Sequence, residues 1–512
     1  MNFKSFSELR EFIRRYSSTS VLKIGAEKCW EKWETQNSNH LDWSFNNTER
    51  NYAVRIVLLA SAGNPHRRKN ISPQIFDNLI NAYHNWEGHT ISDERLLEEE
   101  VKILLSSILQ WENDHQKEVR NWSLKLSNIL DLDVIRANIA SLFIQRLGAF
   151  QNAGYGSPNS RMKRTIKFIA LLDDRSNNEF SDIFFDHIGL TPKNYFRQLL
   201  PCLSLFSQPS GKRGFCNLSQ IPDIDNQLQD LGITPENLKL FIQKNSILFS
   251  EQTNPSFRHK IIKTLDIVPD YYQPIFYNYF LEVPFVKLKN EEFCLPDPFS
   301  FTESCWNQVR GLISKGTYEN KLSHLLSSAF EDYLQNILFP IICPTFFEKI
   351  PEVEKPKSSQ DKRADFLIRT PNSYIIIECK SCVMNSDTSS YFQAEKLAEL
   401  WSRIHSASEQ ISTTVKFLNL CDKPVIPLIL TFYDSIAASS VFEEMMKNTN
   451  YCSRMGLSMP PVVHSLHEFE HLIYNRSLNN WSELIIARHN DHSFVKPDNG
   501  GHNYKHLNDI SI

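Results

Sequence analysis

Residues 363–381 read RADFLIRTPNSYIIIECKS, and this stretch predicts the architecture of the C-terminal part of the chain. Two apolar runs flank a turn at Pro371, a pattern typical of a β-hairpin. Asp365 lies on the first predicted strand, whereas Glu378 and Lys380 lie two residues apart on the second. Because side chains alternate along a strand, Glu378 and Lys380 are expected to share one face.

Charged side chains directly after an apolar run are costly to bury without a purpose. Paired with Asp365 across the hairpin, Glu378 and Lys380 would gather two carboxylates and one ammonium in a small space. Two carboxylates attract a hard divalent cation such as Mg²⁺, which can activate a water and neutralise charge on a phosphate. The lysine can orient that water or stabilise the developing charge. The alternative is a surface ion pair between Glu378 and Lys380 on an edge strand.

The segments around the hairpin alternate between predicted helices and strands. Helices are predicted at 320–338, ending before Pro340, at about 391–419 and near 437–447. Strands are predicted at 344–350, 364–370, 373–380, 425–433 and 462–466. The order α-β-β-β-α-β-α-β favours an α/β domain with a mixed sheet and helices on both faces. The run at 425–433 is apolar enough for a central strand buried on both faces.

This arrangement resembles the PD-(D/E)XK nuclease superfamily, the restriction-endonuclease-like fold, whose core is α-β-β-β-α-β. Glu378-Cys379-Lys380 matches the second half of the motif. Ala364-Asp365 matches the first half without its proline, a departure that removes neither ligand. The resemblance covers residues 317–475. It implies that Asp365, Glu378 and Lys380 are catalytic and that Mg²⁺, replaceable by Mn²⁺, is the cofactor.

Members of this superfamily often add an acidic metal ligand from the first core helix. Glu331 is the candidate here, which would join Asp365 and Glu378 as a metal ligand. Asp332 is its rival, because both residues lie off the apolar stripe of the predicted helix.

The resemblance also places the helix after the motif near the active site. Lys396, Arg403 and Gln410 are spaced by seven on that helix and therefore line one flank. We expect them to contact substrate phosphates or bases; the alternative is an ordinary solvated flank. Further cations, with Lys357 and Lys362 as the principal nucleic-acid contacts, are expected to rim a groove centred on Glu378. The others are Lys349, Lys355, Arg363 and Arg369.

The remainder of the 512-residue chain carries no catalytic signature, and no phosphate-binding GxxxxGK[ST] loop occurs in it. Residues 1–280 are predicted to be mainly helical, with helices at 51–62, 72–86, 96–114 and 133–150. Residues 281–316 form a junction with a short hairpin that turns at Lys289 and Asn290, and residues 476–512 form a C-terminal extension or tail. Scattered cysteines and the lack of a signal peptide or long apolar run predict a cytoplasmic protein without a membrane span.

The resulting function hypothesis is a metal-dependent endonuclease, with DNA favoured over RNA as its substrate. A large helical region joined to a nuclease is similar to bacterial defence or restriction-type effectors, an argument from fold-level analogy. Expected partners besides nucleic acid are a second copy of the chain or a protein bound by the helical region. The alternative is a nucleic-acid-binding or regulatory protein on a catalytically inactive nuclease fold. The net charge of −4 does not decide between them, since nucleases concentrate positive charge locally.

Overall fold

A computed structural model gives the structure of the protein. It describes most residues outside six longer gaps: 40–46, 93–157, 268–277, 382–393, 433–445 and 471–512, where Glu483 and Ile485 alone are described. Shorter gaps fall at 64–68, 222–225, 250–255, 315–318, 343–346 and 354–360, and at a few single or paired positions. The predicted helices at 96–114 and 133–150, and nearly all of that near 437–447, lie outside the described residues.

Helices dominate the described part of residues 1–280. Their bounds are α1 Phe6–Ile13, α2 Ser18–Asn39, α3 Asn47–Ser61, α4 Pro73–Ser92, α5 Pro158–Ser176, α6 Glu179–Ile188, α7 Pro192–Arg197, α8 Leu199–Phe206, α9 Asn226–Asp230, α10 Pro235–Lys244 and α11 Phe257–Ile267. Helix α4 begins as the sequence predicted, since Ser72 Oγ accepts a hydrogen bond from Ile75 N at 3.3 Å and Pro73 is the first helical residue.

A small sheet accompanies these helices. Its strands are β1 Phe215–Asn217, β2 Ser246–Leu248, β3 Phe285–Lys287 and β4 Glu292–Cys294, in the order β1-β4-β3-β2 within the described residues. Strands β3 and β4 pair antiparallel across the turn that the sequence predicted. Strands β1 and β2 have no signature in the sequence, because three residues are too few to display an alternating pattern.

The C-terminal part combines helices with a mixed sheet, which confirms the predicted α/β class. Its elements are α12 Pro298–Ser314, α13 Glu319–Asp332, β5 Phe347–Lys349, β6 Phe366–Arg369, β7 Tyr374–Lys380, α14 Ala394–Leu418, β8 Val425–Thr431, α15 Thr449–Met455 and β9 Val462–Ser465. Among the described residues the strand order is β5-β6-β7-β8-β9. Strand β6 pairs antiparallel with both β5 and β7, whereas β8 lies parallel to both β7 and β9.

Helix α13 does not end before Pro340, as the sequence had predicted. A π-helical segment, Tyr333–Leu338, follows it directly, and a last α-helical turn covers Phe339–Ile342. A proline inside an α-helix normally clashes with the carbonyl four residues earlier. The π segment has wider turns with i→i+5 hydrogen bonds, and such segments are frequent near functional sites. The chain can therefore pass through Pro340 without leaving the helix.

Strand β7 lies in the middle of the five-stranded order, so it is not an edge strand. Alternate residues of β7 face different layers. Ile375 and Ile377 pack in a core with residues of α5 and α13, and Cys379 packs against the same core. The opposite face of β7 presents Glu378 and Lys380 to α14, whose Gln410 contacts Lys380.

The two halves of the chain share hydrophobic packing. Phe168 on α5 stacks on Tyr333, with ring centroids 4.7 Å apart, and contacts Phe432 at 4.3 Å. Ile485, in the segment predicted as an extension or tail, is also buried in this core. Among the described helices none is long and apolar enough to cross a membrane.

Thr414 on α14 fixes the start of the β6 segment. Its buried hydroxyl accepts a hydrogen bond from Ala364 N at 2.8 Å and donates one to Gln410 O. We expect Thr414→Val to lower the free energy of unfolding by about 1–3 kcal/mol, because the buried Ala364 N–H loses its acceptor. Urea unfolding measures the change. Thr414→Ser keeps the hydroxyl and is the matched control, so equal stability losses in the two variants would contradict this role.

Candidate active site

Asp365 and Glu378 face each other across the β6–β7 hairpin. The register pairs Phe366 with Ile377, and Asp365 N donates to Ile377 O at 3.0 Å, which brings Asp365 opposite Glu378. Residues directly opposite in an antiparallel pair point to the same face. Asp365 Oδ2 accepts a hydrogen bond from Cys379 N at 2.7 Å, so the strand backbone holds this carboxylate in place. The hairpin therefore brings the two predicted carboxylates together.

Lys380 provides the positive charge of the cluster. Its ammonium group donates to Glu378 Oε1, and it donates to Gln410 Oε1 with a nitrogen–oxygen distance of 2.6 Å. Glu378 is 3% exposed and lies on a central strand, which excludes the alternative of a surface ion pair on an edge strand. Because a carboxylate and an amide hold its ammonium group, the Lys380 side chain has a fixed orientation. A fixed orientation is what a group needs if it is to meet a reacting atom.

The surroundings of the two carboxyl groups, Asp365 and Glu378, favour their protonated forms in the absence of a cation. Burial, followed by the charges of Glu378 and Glu331, raises the pKa of Asp365 well above its ordinary value. Burial also raises the pKa of Glu378, an effect that the charge and hydrogen bond of Lys380 oppose. Adjacent buried carboxylates repel one another, so any positive charge placed between them is stabilised.

Glu331 and Asp332, the two candidates on α13, point to different partners. Glu331 acts electrostatically on Asp365 and Glu378, and its Oε2 lies 3.0 Å from Lys349 Nζ on β5. Asp332 instead forms an ion pair with Arg175 of α5. Of the two, Glu331 is therefore the acid whose charge acts on the carboxylate pair, whereas Asp332 is directed toward the helical region.

The donor set fits Mg²⁺ or Mn²⁺. Among the described residues no N–H group or hydroxyl donates to the buried Glu378 Oε2, although a buried carboxylate oxygen normally requires a donor; the neighbour of this carboxylate is the Asp365 carboxyl. A divalent cation between Asp365 and Glu378 would satisfy that oxygen and relieve the repulsion. No group of three or more His, Cys, Asp or Glu side chains among the described residues is arranged as a metal site. Mg²⁺ commonly uses one or two carboxylates and fills its shell with water, so two ligands suffice.

The helix flank predicted to touch nucleic acid is not uniform. Gln410 is 5% exposed and holds Lys380, so the structure gives it a positioning contact within the site. Arg403 is exposed on α14, two turns and about 10 Å before Gln410. Position 396 belongs to α14, but its side chain lies outside the described residues.

The expected basic rim is only partly present. Lys349 lies beside Glu331, and Lys362 is exposed on the approach to β6. Lys355 and Lys357 lie outside the described residues.

The two arginines of the predicted rim both have local partners. Arg363 stacks on the Phe417 ring, with its guanidinium carbon 3.4 Å from the centroid. Arg369 pairs with Glu348 at 2.7 Å near the turn of the hairpin, about 13 Å along the strand from Glu378. Both arginines found local partners that sequence spacing does not reveal.

Two features of the site were not predicted. The first is the Thr414 hydroxyl, which accepts a hydrogen bond from Ala364 N; in the sequence Thr414 is indistinguishable from the other polar residues of its helix. The second is the ion pair between Lys349 on β5 and Glu331 on α13, two elements that are not adjacent in the sequence, so residue spacing does not reveal it. For Thr414 the available signal was its position four residues after Gln410, which places both on one helix face.

No protein-family model, curated protein or solved structure matches this chain.

Asp365→Asn should stabilise the metal-free protein increasingly as the pH rises. A carboxyl with a raised folded pKa contributes stability below its unfolded value, and that contribution is lost as the pH rises through the folded value. Asparagine cannot ionise, keeps an acceptor for Cys379 N and can donate to Glu378. We expect a gain of about 1 kcal/mol or more at about pH 8, and a smaller gain at about pH 5, in urea unfolding with chelator.

The matched control for this experiment is Asp361→Asn, an exposed aspartate on the approach to the same strand. Its unfolding free energy should follow that of the wild type at both pH values. A destabilised Asp365→Asn protein at about pH 8 would contradict the repulsion between the buried carboxylates.

Proposed function

We propose that the chain is a Mg²⁺-dependent endonuclease that hydrolyses phosphodiester bonds, with DNA favoured over RNA as its substrate. The observation that carries the proposal is the convergence of Asp365, Glu378 and Lys380, where no N–H group or hydroxyl of the described residues donates to the buried Oε2 of Glu378. This cluster has the residue types and strand positions of the PD-(D/E)XK motif. Support from its surroundings comes from the mixed sheet and from Gln410, which holds Lys380.

Each residue has a distinct role in this proposal. Asp365 and Glu378 hold the cation, and Glu331 becomes a further ligand when its pair with Lys349 opens. When bound, Mg²⁺ polarises the phosphate and lowers the pKa of a coordinated water. Lys380 orients the attacking water and stabilises the negative charge that develops on the phosphate. Gln410 and Glu378 prevent the ammonium group from turning away.

The helical region is proposed to bind a partner or sense a trigger, as in bacterial defence or restriction-type effectors. This part of the proposal depends on analogy between architectures. It is supported by the absence of a catalytic signature in residues 1–280 and by the extensive packing of α5 against the sheet domain. A self-associating chain and a protein partner are both compatible with it.

Lys380→Ala should lower the cleavage rate by about 10²–10³-fold or more, because a preorganised charge aimed at the reacting phosphate is lost. The assay incubates plasmid, linear DNA, single-stranded DNA and RNA with Mg²⁺, with Mn²⁺ and with chelator. Circular dichroism and thermal unfolding establish that the variant is folded. Lys423→Ala is the control, because its ammonium group contacts the Tyr374 ring at the other end of β7.

Full activity in a folded Lys380→Ala protein would overturn the assignment of Lys380. Binding of nucleic acid on gels without cleavage under either metal would instead favour the inactive-fold alternative. The two results differ, because the first concerns a variant and the second concerns the wild type.

Binding of nucleic acid should weaken steeply with salt, since each neutralised phosphate releases counterions. Removing Lys357 and Lys362 together, as a double alanine variant, should lower affinity for all sequences and reduce the slope of log K against log salt by about 2. Fluorescence anisotropy in Ca²⁺ or chelator measures binding without cleavage. Arg369→Ala is the control, because Arg369 pairs with Glu348 away from the site. A loss confined to particular sequences would contradict a backbone-contact role.

A further inference from the structure

Helix α5 packs directly behind the proposed active site, although it precedes the carboxylates by almost 200 residues in sequence. Phe168 contacts Phe432, whose backbone N donates to Lys380 O at 3.0 Å. The same ring stacks on Tyr333, the first residue of the π-helical segment. The Phe168 ring of the helical region therefore contacts two residues next to catalytic candidates. One is Phe432, which is hydrogen-bonded to Lys380, and the other is Tyr333, which directly follows Glu331 and Asp332.

The last turn of α5 reaches the end of α13 through a two-point ion pair. Arg175 Nε donates to Asp332 Oδ2, and Arg175 Nη2 donates to Asp332 Oδ1 at 2.5 Å. The planar fork of a guanidinium fixes the orientation of a carboxylate as well as its distance. Asp332 is 9% exposed, so its carboxylate depends on this partner.

Asp332 is the residue next to Glu331, and the two acids are held from opposite directions. Glu331 pairs with Lys349 of β5, whereas Asp332 pairs with Arg175 of α5. One turn earlier, Ser327 Oγ lies 2.7 Å from Ser381 Oγ, directly after Lys380. The final turn of α13 is thus tied to the strand end at Ser327 and to α5 at Asp332.

The π-helical segment that follows α13 gives these ion pairs from outside the helix a particular role. It begins at Tyr333, immediately after Asp332, and replaces i→i+4 hydrogen bonds with i→i+5 bonds. Conversion of a π turn to an α turn changes the helical register, which would rotate the adjacent residues about the helix axis. Regular α-helical hydrogen bonding therefore ends directly after Asp332, and the ion pairs of Glu331 and Asp332 constrain this end of α13 from outside the helix.

We propose that Arg175 is a positioning residue, which holds the end of α13 so that Glu331 stays near the carboxylate pair and could become a further metal ligand when its pair with Lys349 opens. In this arrangement, metal affinity depends on the docking of α5, and a displacement of α5 weakens the site without touching a ligand. This inference rests on the proposed function, because it assigns Glu331 to the metal.

Metal binding without substrate tests the inference. Thermal unfolding is recorded across a titration of MgCl₂ or MnCl₂ for the wild type, Arg175→Ala, Arg175→Lys and Arg175→Asp combined with Asp332→Arg. Partners of metal ligands typically change metal affinity by 10–100-fold, so we expect the half-saturating concentration to rise about tenfold in Arg175→Ala. Arg175→Lys keeps the charge without the fork and should fall between it and the wild type. The charge swap should restore affinity.

The control is Lys167→Ala, which removes a cation from the same helix without touching Asp332. Its half-saturating concentration should equal that of the wild type. Because Asp332 is 9% exposed, loss of Arg175 should also lower the metal-free stability, so the metal response of each variant is measured from its own metal-free unfolding temperature. If Arg175→Ala fails to fold, Arg175→Lys is judged by the same criterion.

The outcomes separate the inference from the proposed function. A wild-type protein that neither metal stabilises would overturn the metal site and the positioning role together. A wild-type response that Arg175→Ala and Arg175→Lys reproduce within about twofold would overturn the positioning role alone. A weakened response that the charge swap restores supports both.

Discussion

A carboxylate buried on the central strand of a sheet is the constraint around which the C-terminal structure is organised. An isolated ionised carboxylate in such a place is strongly disfavoured, and it persists only when charges and hydrogen bonds compensate it. Glu378 receives one such bond from Lys380, and Lys380 is in turn held by Gln410 of α14. The inward face of α14 is accordingly polar where it meets β7. Gln410 and Thr414 face the β6–β7 hairpin, whereas the buried His405, Ser408 and Ser412 bond to Tyr451, Met446 and Met455 on the other side.

The sequence predicted those parts of the fold that short-range patterns encode. The hairpin around Pro371, the helix at 391–419 and the strand at 425–433 all have periodicities or turn residues that act locally, and they correspond to β6–β7, α14 and β8. The continuation of the helix through Pro340 could not be foreseen, because a proline is a strong local stop signal and the π segment that accommodates it has no sequence signature.

The site shows the same division. Strand alternation was sufficient to place Glu378 and Lys380 on one face, and the hairpin register was sufficient to bring Asp365 beside them. Spacing could not decide between Glu331 and Asp332, since both lie on the polar side of α13. Their partners, Lys349 and Arg175, come from elements whose positions depend on tertiary packing. Spacing also overstated the basic rim, because a count of cations does not show which of them already have partners.

The shared core has a consequence for how the chain acquires its structure during synthesis. Phe168 packs against Phe432, and Trp30 Nε1 donates to Leu295 O, a contact between residues 265 positions apart. At a typical elongation rate, on the order of 10 to 50 s pass between the emergence of residue 168 from the ribosome and that of residue 432. During this interval Phe168 lacks its contact with Phe432, although its partners Phe330 and Tyr333 emerge earlier. A ribosome that stalls before residue 432 would therefore release a product in which α5 is packed against α13 but not against the end of β8.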